Sequence, residues 1–163
     1  MSGPIVLAID PGTACGYAVR QGDRVLASGV WNLRPNRYEG GGMRWLRLRS
    51  FLSGACPPSL PQAKPTLVAY EEVRRHMGTD AAHCYAGVVA TIQAWCEDFA
   101  IPYTGVPVGT VKKTATGKGN ADKTAMVAAA AARWPEQQIE DDNQADALWI
   151  AEVAIRTLEG RAA

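Results

Sequence analysis

The chain has 163 residues, enough for one compact domain around a single core and too few for two ordinary domains. Its 47% hydrophobic and 20% charged residues exclude a disordered chain, and no run approaches the roughly 18 consecutive apolar residues of a membrane span. The net charge of +1 says little, but its distribution says more: residues 1–133 carry 15 Lys/Arg against 9 Asp/Glu, and residues 134–163 carry 2 against 7. A basic body with an acidic C-terminal segment suits phosphate binding on one face and metal binding on another. Ordinary surface charge accounts for the same pattern. The opening MSGPIVLAID lacks a basic n-region and its apolar run stops at Asp10, unlike a secretory leader. Cys15, Cys56, Cys84 and Cys96 lack the close pairs of a zinc site and the density of a disulfide scaffold. Reduced thiols, a cytoplasmic location and no membrane partner are expected.

Ile5 to Ile9 is a continuous apolar run, the pattern of a strand buried on both faces. Asp10-Pro11-Gly12-Thr13 turns the chain at its end. Gly16 to Arg20 and Val25 to Trp31, joined at Gln21-Gly22-Asp23, predict two more strands and hence three antiparallel ones. Met43 to Leu52 places Trp45, Leu48 and Leu52 at helical spacing, with Arg44, Arg47 and Arg49 mostly opposite. Proline-rich Cys56 to Pro65 is a loop, and Thr66 to Glu72 a second buried strand. Asp80 to Phe99 is a long Ala-rich helix, whose Ala86, Gly87 and Ala90 suit close packing against a second copy of the chain or within the core. Ile101 to Val106 is a short strand, Val111 to Thr114 a short helix, and Thr116-Gly117-Lys118-Gly119-Asn120 a loop. One more helix runs from about Asp122, its N-cap, to Trp134, and the last from near Asp142 to about Glu159. Trp95, Trp134 and Trp149 lie on apolar faces and are expected in the core. The order predicts a single α/β domain over residues 1–163: a mixed sheet, three leading antiparallel strands and then parallel ones, flanked by helices.

Two acids stand where such a sheet builds its sites. Asp10 and Glu71 each end a buried strand, and ligands of open α/β sheets collect at strand ends. An ionised carboxylate there is costly without a partner or a metal; a turn cap or an arginine would also satisfy either acid. The third element is Asp141-Asp142-Asn143-Gln144-Ala145-Asp146 at the start of the last helix. Asp142 and Asp146 are four apart and Asn143 and Asp146 three apart, so either pair shares a face. The helix dipole explains acids in the first turn, but Asp146 sits a turn further in, where the helix becomes apolar. A ligand set of Asp and Glu oxygens suits Mg²⁺ or Mn²⁺ rather than zinc, and two such ions about 4 Å apart hydrolyse phosphodiesters without a covalent nucleophile.

Ile9-Asp10-Pro11-Gly12-Thr13 with Gly16, then Tyr70-Glu71-Glu72-Val73, and finally Ala145-Asp146-Ala147-Leu148 resemble, in this order, the RuvC family of Holliday-junction resolvases. Val111-Lys112-Lys113 followed by Thr116-Gly117-Lys118-Gly119-Asn120-Ala121-Asp122-Lys123 resembles that family's basic helix-loop-helix. The resemblance covers most of the chain and implies an RNase H-like fold, catalytic and metal-binding roles for Asp10, Glu71 and Asp146, two divalent cations, a four-way DNA junction as substrate, and a homodimer. Sugar kinases and actin-like ATPases also open with an Asp-x-Gly-Thr loop, but this chain is too short for their second lobe. Family members usually carry Asp or His three residues before the last Asp. Here that position is Asn143, and Asp142, one residue earlier, is taken as the working catalytic and metal ligand, with Asn143 as the alternative. Many members also place an aromatic wedge three residues after the catalytic Glu, where this chain has Arg74, followed by Arg75 and His76.

Two consecutive arginines suit phosphate contacts. His76 is a solvated loop residue or an aid to proton transfer. Glu72 points to the face opposite Glu71 if the strand continues. Lys112, Lys113, Lys118 and Lys123 form the densest basic cluster, expected on the DNA backbone; a solvated flexible turn is the alternative. Two other functions are also open: a less selective nuclease of the same fold acting on forks, flaps or RNA–DNA hybrids, and a catalytically impaired junction-binding protein.

Overall fold

The computed structural model describes residues 3–139 and 141–160. Strands β1 (Ile5–Asp10), β2 (Ala14–Gln21) and β3 (Arg24–Asn32) form an antiparallel meander. On the other side of β1, β4 (Leu67–Glu72) and β5 (Tyr103–Pro107) add in parallel, so the sheet order is β3-β2-β1-β4-β5. β1 is central and covered on both faces, which is why its sequence is an unbroken apolar run. The two-residue period of a strand divides it between two cores. Val6 and Ala8 join α3 (Val108–Thr116), α4 (Lys123–Arg133) and α5 (Asp142–Leu158) on one face; Leu7 and Ile9 join α1 (Met43–Ala55) and α2 (Thr79–Asp98) on the other.

The expected order of elements is the observed one, with local differences. β5 begins at Tyr103 rather than Ile101 because Pro102 has no N–H to offer the ladder and contributes only its carbonyl, which accepts from Val68 N at 2.9 Å. The short helix is longer than its apolar spacing suggested, running from just after Pro107 to a left-handed cap at Gly117, φ +82°. Asp122 caps α4 as expected, its carboxylate accepting from Ala125 N at 2.8 Å. Trp95, Trp134 and Trp149 are all buried. On α2, Ala86 and Ala90 are exposed, while Gly87 faces inward: a Cβ there would lie 2.1 Å from the Trp45 ring.

A buried ion pair ties the sheet to its largest helix. Arg20 on β2 donates to Glu152 on α5, both essentially fully buried. Arg20 also donates to Gly22 O at 2.8 Å and lies over the Trp134 ring at 5.3 Å, while Arg156 Nε donates to Glu152 at 2.9 Å. Burial pushes the Glu152 carboxyl up, but the hydrogen bonds and charges of Arg20 and Arg156 outweigh it and hold it below the usual range. Among the described residues no helix is long and apolar enough to cross a membrane.

Candidate active site

The parallel register of β1 and β4 pairs Ile9 with Tyr70, so Asp10 and Glu71 are the next residues at two neighbouring strand ends. Alternation puts both side chains on the face covered by α5, the face of Ala8 and Ala69. α5 is held there by a close backbone contact. Gly16, the antiparallel partner of Asp10, lies against the main chain of Asn143; a Cβ on Gly16 would fall 1.9 Å from the Asn143 carbonyl oxygen. One turn into α5, Asp146 completes the set. A carboxylate oxygen from each of Asp10, Glu71 and Asp146 lies within 4.8 Å of the other two, and all three residues are half-buried.

The electrostatics are those of a site that wants a cation. The Asp10 carboxyl is raised well above the ordinary value by burial and then by Glu71, Asp146, Asp142 and Asp141. Burial raises Glu71 too, with Lys112 opposing. Asp146 is pushed up to about 7 by burial, Glu71 and Asp142, against the nearby Lys112 and Lys123. Three crowded, half-buried acids repel one another's charges, and a hard divalent ion with oxygen ligands is the partner that offsets this cost. The donor set therefore fits Mg²⁺ or Mn²⁺.

The other residues singled out from the sequence fall around this cluster. Asp141 is the N-cap of α5, accepting from Asn143 N at 2.7 Å and Gln144 N at 3.4 Å. Among the described residues Asp142 is not one of the three clustered acids; it meets Lys123 Nζ at 3.3 Å, and the Asn143 main chain lies against Gly16. Lys112 is close enough to act on Glu71 and Asp146, which its place in a basic cluster did not reveal. Lys113, Lys118 and Lys123 are exposed, as are Arg74 and Arg75 in the loop after Glu71. His76 is half-buried against the Tyr85 ring, centroids 4.7 Å apart. Tyr85 was missed by the sequence reading. Its hydroxyl accepts from Val73 N and donates to the Glu71 carbonyl, both at 3.0 Å, holding the end of β4; a tyrosine inside an amphipathic helix carries no signal of such a clamp.

No family model matches the chain, and no curated protein does. Solved structures do. The chain is similar to Thermus thermophilus RuvC in complex with a Holliday junction substrate, with a TM-score of 0.78 at 22% identity over 96% of both chains. A second structure of Thermus thermophilus RuvC matches at TM-score 0.76 and 22% identity, covering 97% of this chain and 98% of that one. The yeast mitochondrial Holliday junction resolvase matches at TM-score 0.61 and 14% identity, over 93% and 78%. The chain has the RuvC-type, RNase H-like fold, and at the place where its central strands end it carries a cluster of three carboxylates.

Proposed function

We propose that this protein is a metal-dependent endonuclease that hydrolyses phosphodiesters of branched DNA, with a four-way junction as its main substrate. The reading is carried by the convergence of Asp10, Glu71 and Asp146 within 4.8 Å in a fold similar over almost its whole length to a RuvC in complex with a Holliday junction substrate. Asp10, Glu71 and Asp146 would hold two Mg²⁺ or Mn²⁺ ions, with Asp142, or else Asn143, as the fourth ligand. When bound, such ions supply an activated water and charge stabilisation at the leaving oxygen.

The chain's own residues do the rest. Lys112 sits beside the acids to meet the negative charge of the phosphate being cut. Lys113, Lys118, Lys123, Arg74 and Arg75 contact backbone phosphates without reading sequence. Paired cuts across a two-fold junction need two sites related by similar symmetry, so the working unit is a homodimer. A single nuclease domain over residues 1–163 acting in the cytoplasm completes the reading. The arginine at position 74, in place of an aromatic wedge, favours as second reading a nuclease less selective among junctions, forks, flaps and RNA–DNA hybrids.

Cleavage of these four substrates with Mg²⁺ or Mn²⁺ tests the proposal. The intact junction is expected to be cut fastest; comparable rates on all four support the second reading, and tight junction binding with no cutting indicates an impaired binding protein. Asp10→Asn, Glu71→Gln and Asp146→Asn are each expected to abolish cleavage while preserving fold and DNA binding, because the amides keep side-chain volume but lose the charge that holds a hard cation. Wild-type turnover in any one of them removes that residue from the mechanism.

A further inference from the structure

In the layer opposite the lysine-bearing helices, a pocket of about 520 Å³ opens between the turn after β1, the start of the β3–α1 connection and the first turns of α1 and α2. Thr13, three residues beyond Asp10, lines it together with Arg34, Arg44 and His83; Asp80 is the carboxylate on its wall. The arginines of this region divide into two groups. Arg47 is paired with Glu39 and Arg49 with Asp98. Arg34 and Arg44 have no carboxylate within 4.0 Å among the described residues. Arg44 is held over the Trp45 ring at 5.6 Å, and its Nε is buried with no acceptor among the described residues.

A buried guanidinium N–H with no acceptor is costly. With the exposed Arg34 beside Arg44, the pocket holds two guanidinium charges against one exposed Asp, a balance that suits an anion with several acceptor oxygens. The neighbouring chain indicates which anion. The β3–α1 connection also presents Tyr38, 84% exposed, with Arg37 over its ring at 4.7 Å, and arginines interleaved with an exposed aromatic suit a nucleic-acid strand. All of this lies at the end of the sheet where β1, β3 and β4 finish, the end that carries Asp10 and Glu71.

We infer that Arg34, Arg44 and His83 seat a backbone phosphate of the DNA strand close to the cut, as a second anchor across the carboxylate cluster from Lys112, Lys118 and Lys123. The inference rests on the branched-DNA reading above and extends it: the strand is gripped from both layers of the domain, which positions its scissile phosphate over the acids between them.

Anisotropy titrations of a labelled four-way junction without divalent metal, between 50 and 200 mM salt, test it. Arg34→Ala and Arg44→Gln are each expected to flatten the salt dependence by about one unit. The double variant loses about 1.8 units, so across this salt range its affinity falls about 12-fold less than that of the wild type. Arg44→Lys, which keeps the charge, retains most of the slope. A double variant that unfolds at the wild-type temperature and shows the wild-type Kd and slope overturns the anchor; if the double variant does not fold, the exposed Arg34→Ala decides by the same criterion. Wild-type binding without any cleavage would remove the nuclease reading and leave this anchor standing, whereas a wild type that binds no branched DNA removes both.

Discussion

Gly16→Ala is the most direct probe of how the carboxylates are brought together. The new Cβ would lie 1.9 Å from the carbonyl oxygen of Asn143 and 2.3 Å from its carbonyl carbon. Both are backbone atoms, so no side-chain rotation relieves the clash. To reach an ordinary 3.4 Å contact from 1.9 Å, the first turn of α5 must retreat from β2 by about 1.5 Å. Overpacking of this kind costs about 1–3 kcal/mol, and in a domain of this size each kcal/mol lowers Tm by about 2–4 °C. The functional loss is larger. Asp146 lies three residues along the displaced helix while Asp10, opposite Gly16, stays with the sheet, and a misplacement of about 1 Å costs on the order of 10²-fold in rate. Junction cleavage is therefore expected to fall about 100-fold, with a Tm lowered by a few degrees and DNA affinity unchanged. Gly54→Ala within α1, where a Cβ meets nothing within 4 Å, is the control and should stabilise by about 0.5–1 kcal/mol. A Gly16→Ala protein with wild-type rate and Tm would refute the role assigned to this contact.

Three further outcomes are expected. Asp142→Asn should raise the metal concentration for half-maximal cleavage, because the Asp142 charge is felt at both Asp10 and Asp146, while Asn143→Ala should matter little; a marked loss in Asn143→Ala beside a silent Asp142→Asn reverses the assignment. Because the Asp146 carboxyl is raised from 3.8 to about 7 in the fold, its contribution to metal-free stability is full below about 4 and is lost as the pH rises through about 7. A bound cation must displace that proton, so the rise in Tm on adding Mg²⁺ should be larger at pH 8 than at pH 6, and a pH-independent rise in thermal-shift measurements counts against it. Glu152→Leu strands the buried Arg20 and should cost about 3–5 kcal/mol in urea unfolding; a loss below about 1 kcal/mol would mean that Arg20 finds another partner.

Local chemistry made much of this protein legible without its structure. A strand covered on both faces must be apolar at every position, so Ile5–Ile9 and Leu67–Tyr70 were visible as runs, and the acids that end them stood out against that background. Asp122 marks a helix start because its carboxylate can cap the free N–H groups there, and Asp146 stood out as an acid where α5 turns apolar. Periodicity, however, reports only which residues share a face of one element. That Asp10 and Glu71 are neighbours depends on β4 crossing over to pair with β1 rather than with β3, and that Asp146 meets them depends on Gly16 admitting the α5 backbone. The same limit hid the burial of Arg20 against Glu152, the closeness of Lys112 to the acids, and the difference between Arg47 and Arg49, which found carboxylates, and Arg34 and Arg44, which did not. Apolar burial drives these elements together without direction; which polar groups then face one another is decided by sheet order, register and close packing, and those exist only once the chain is folded.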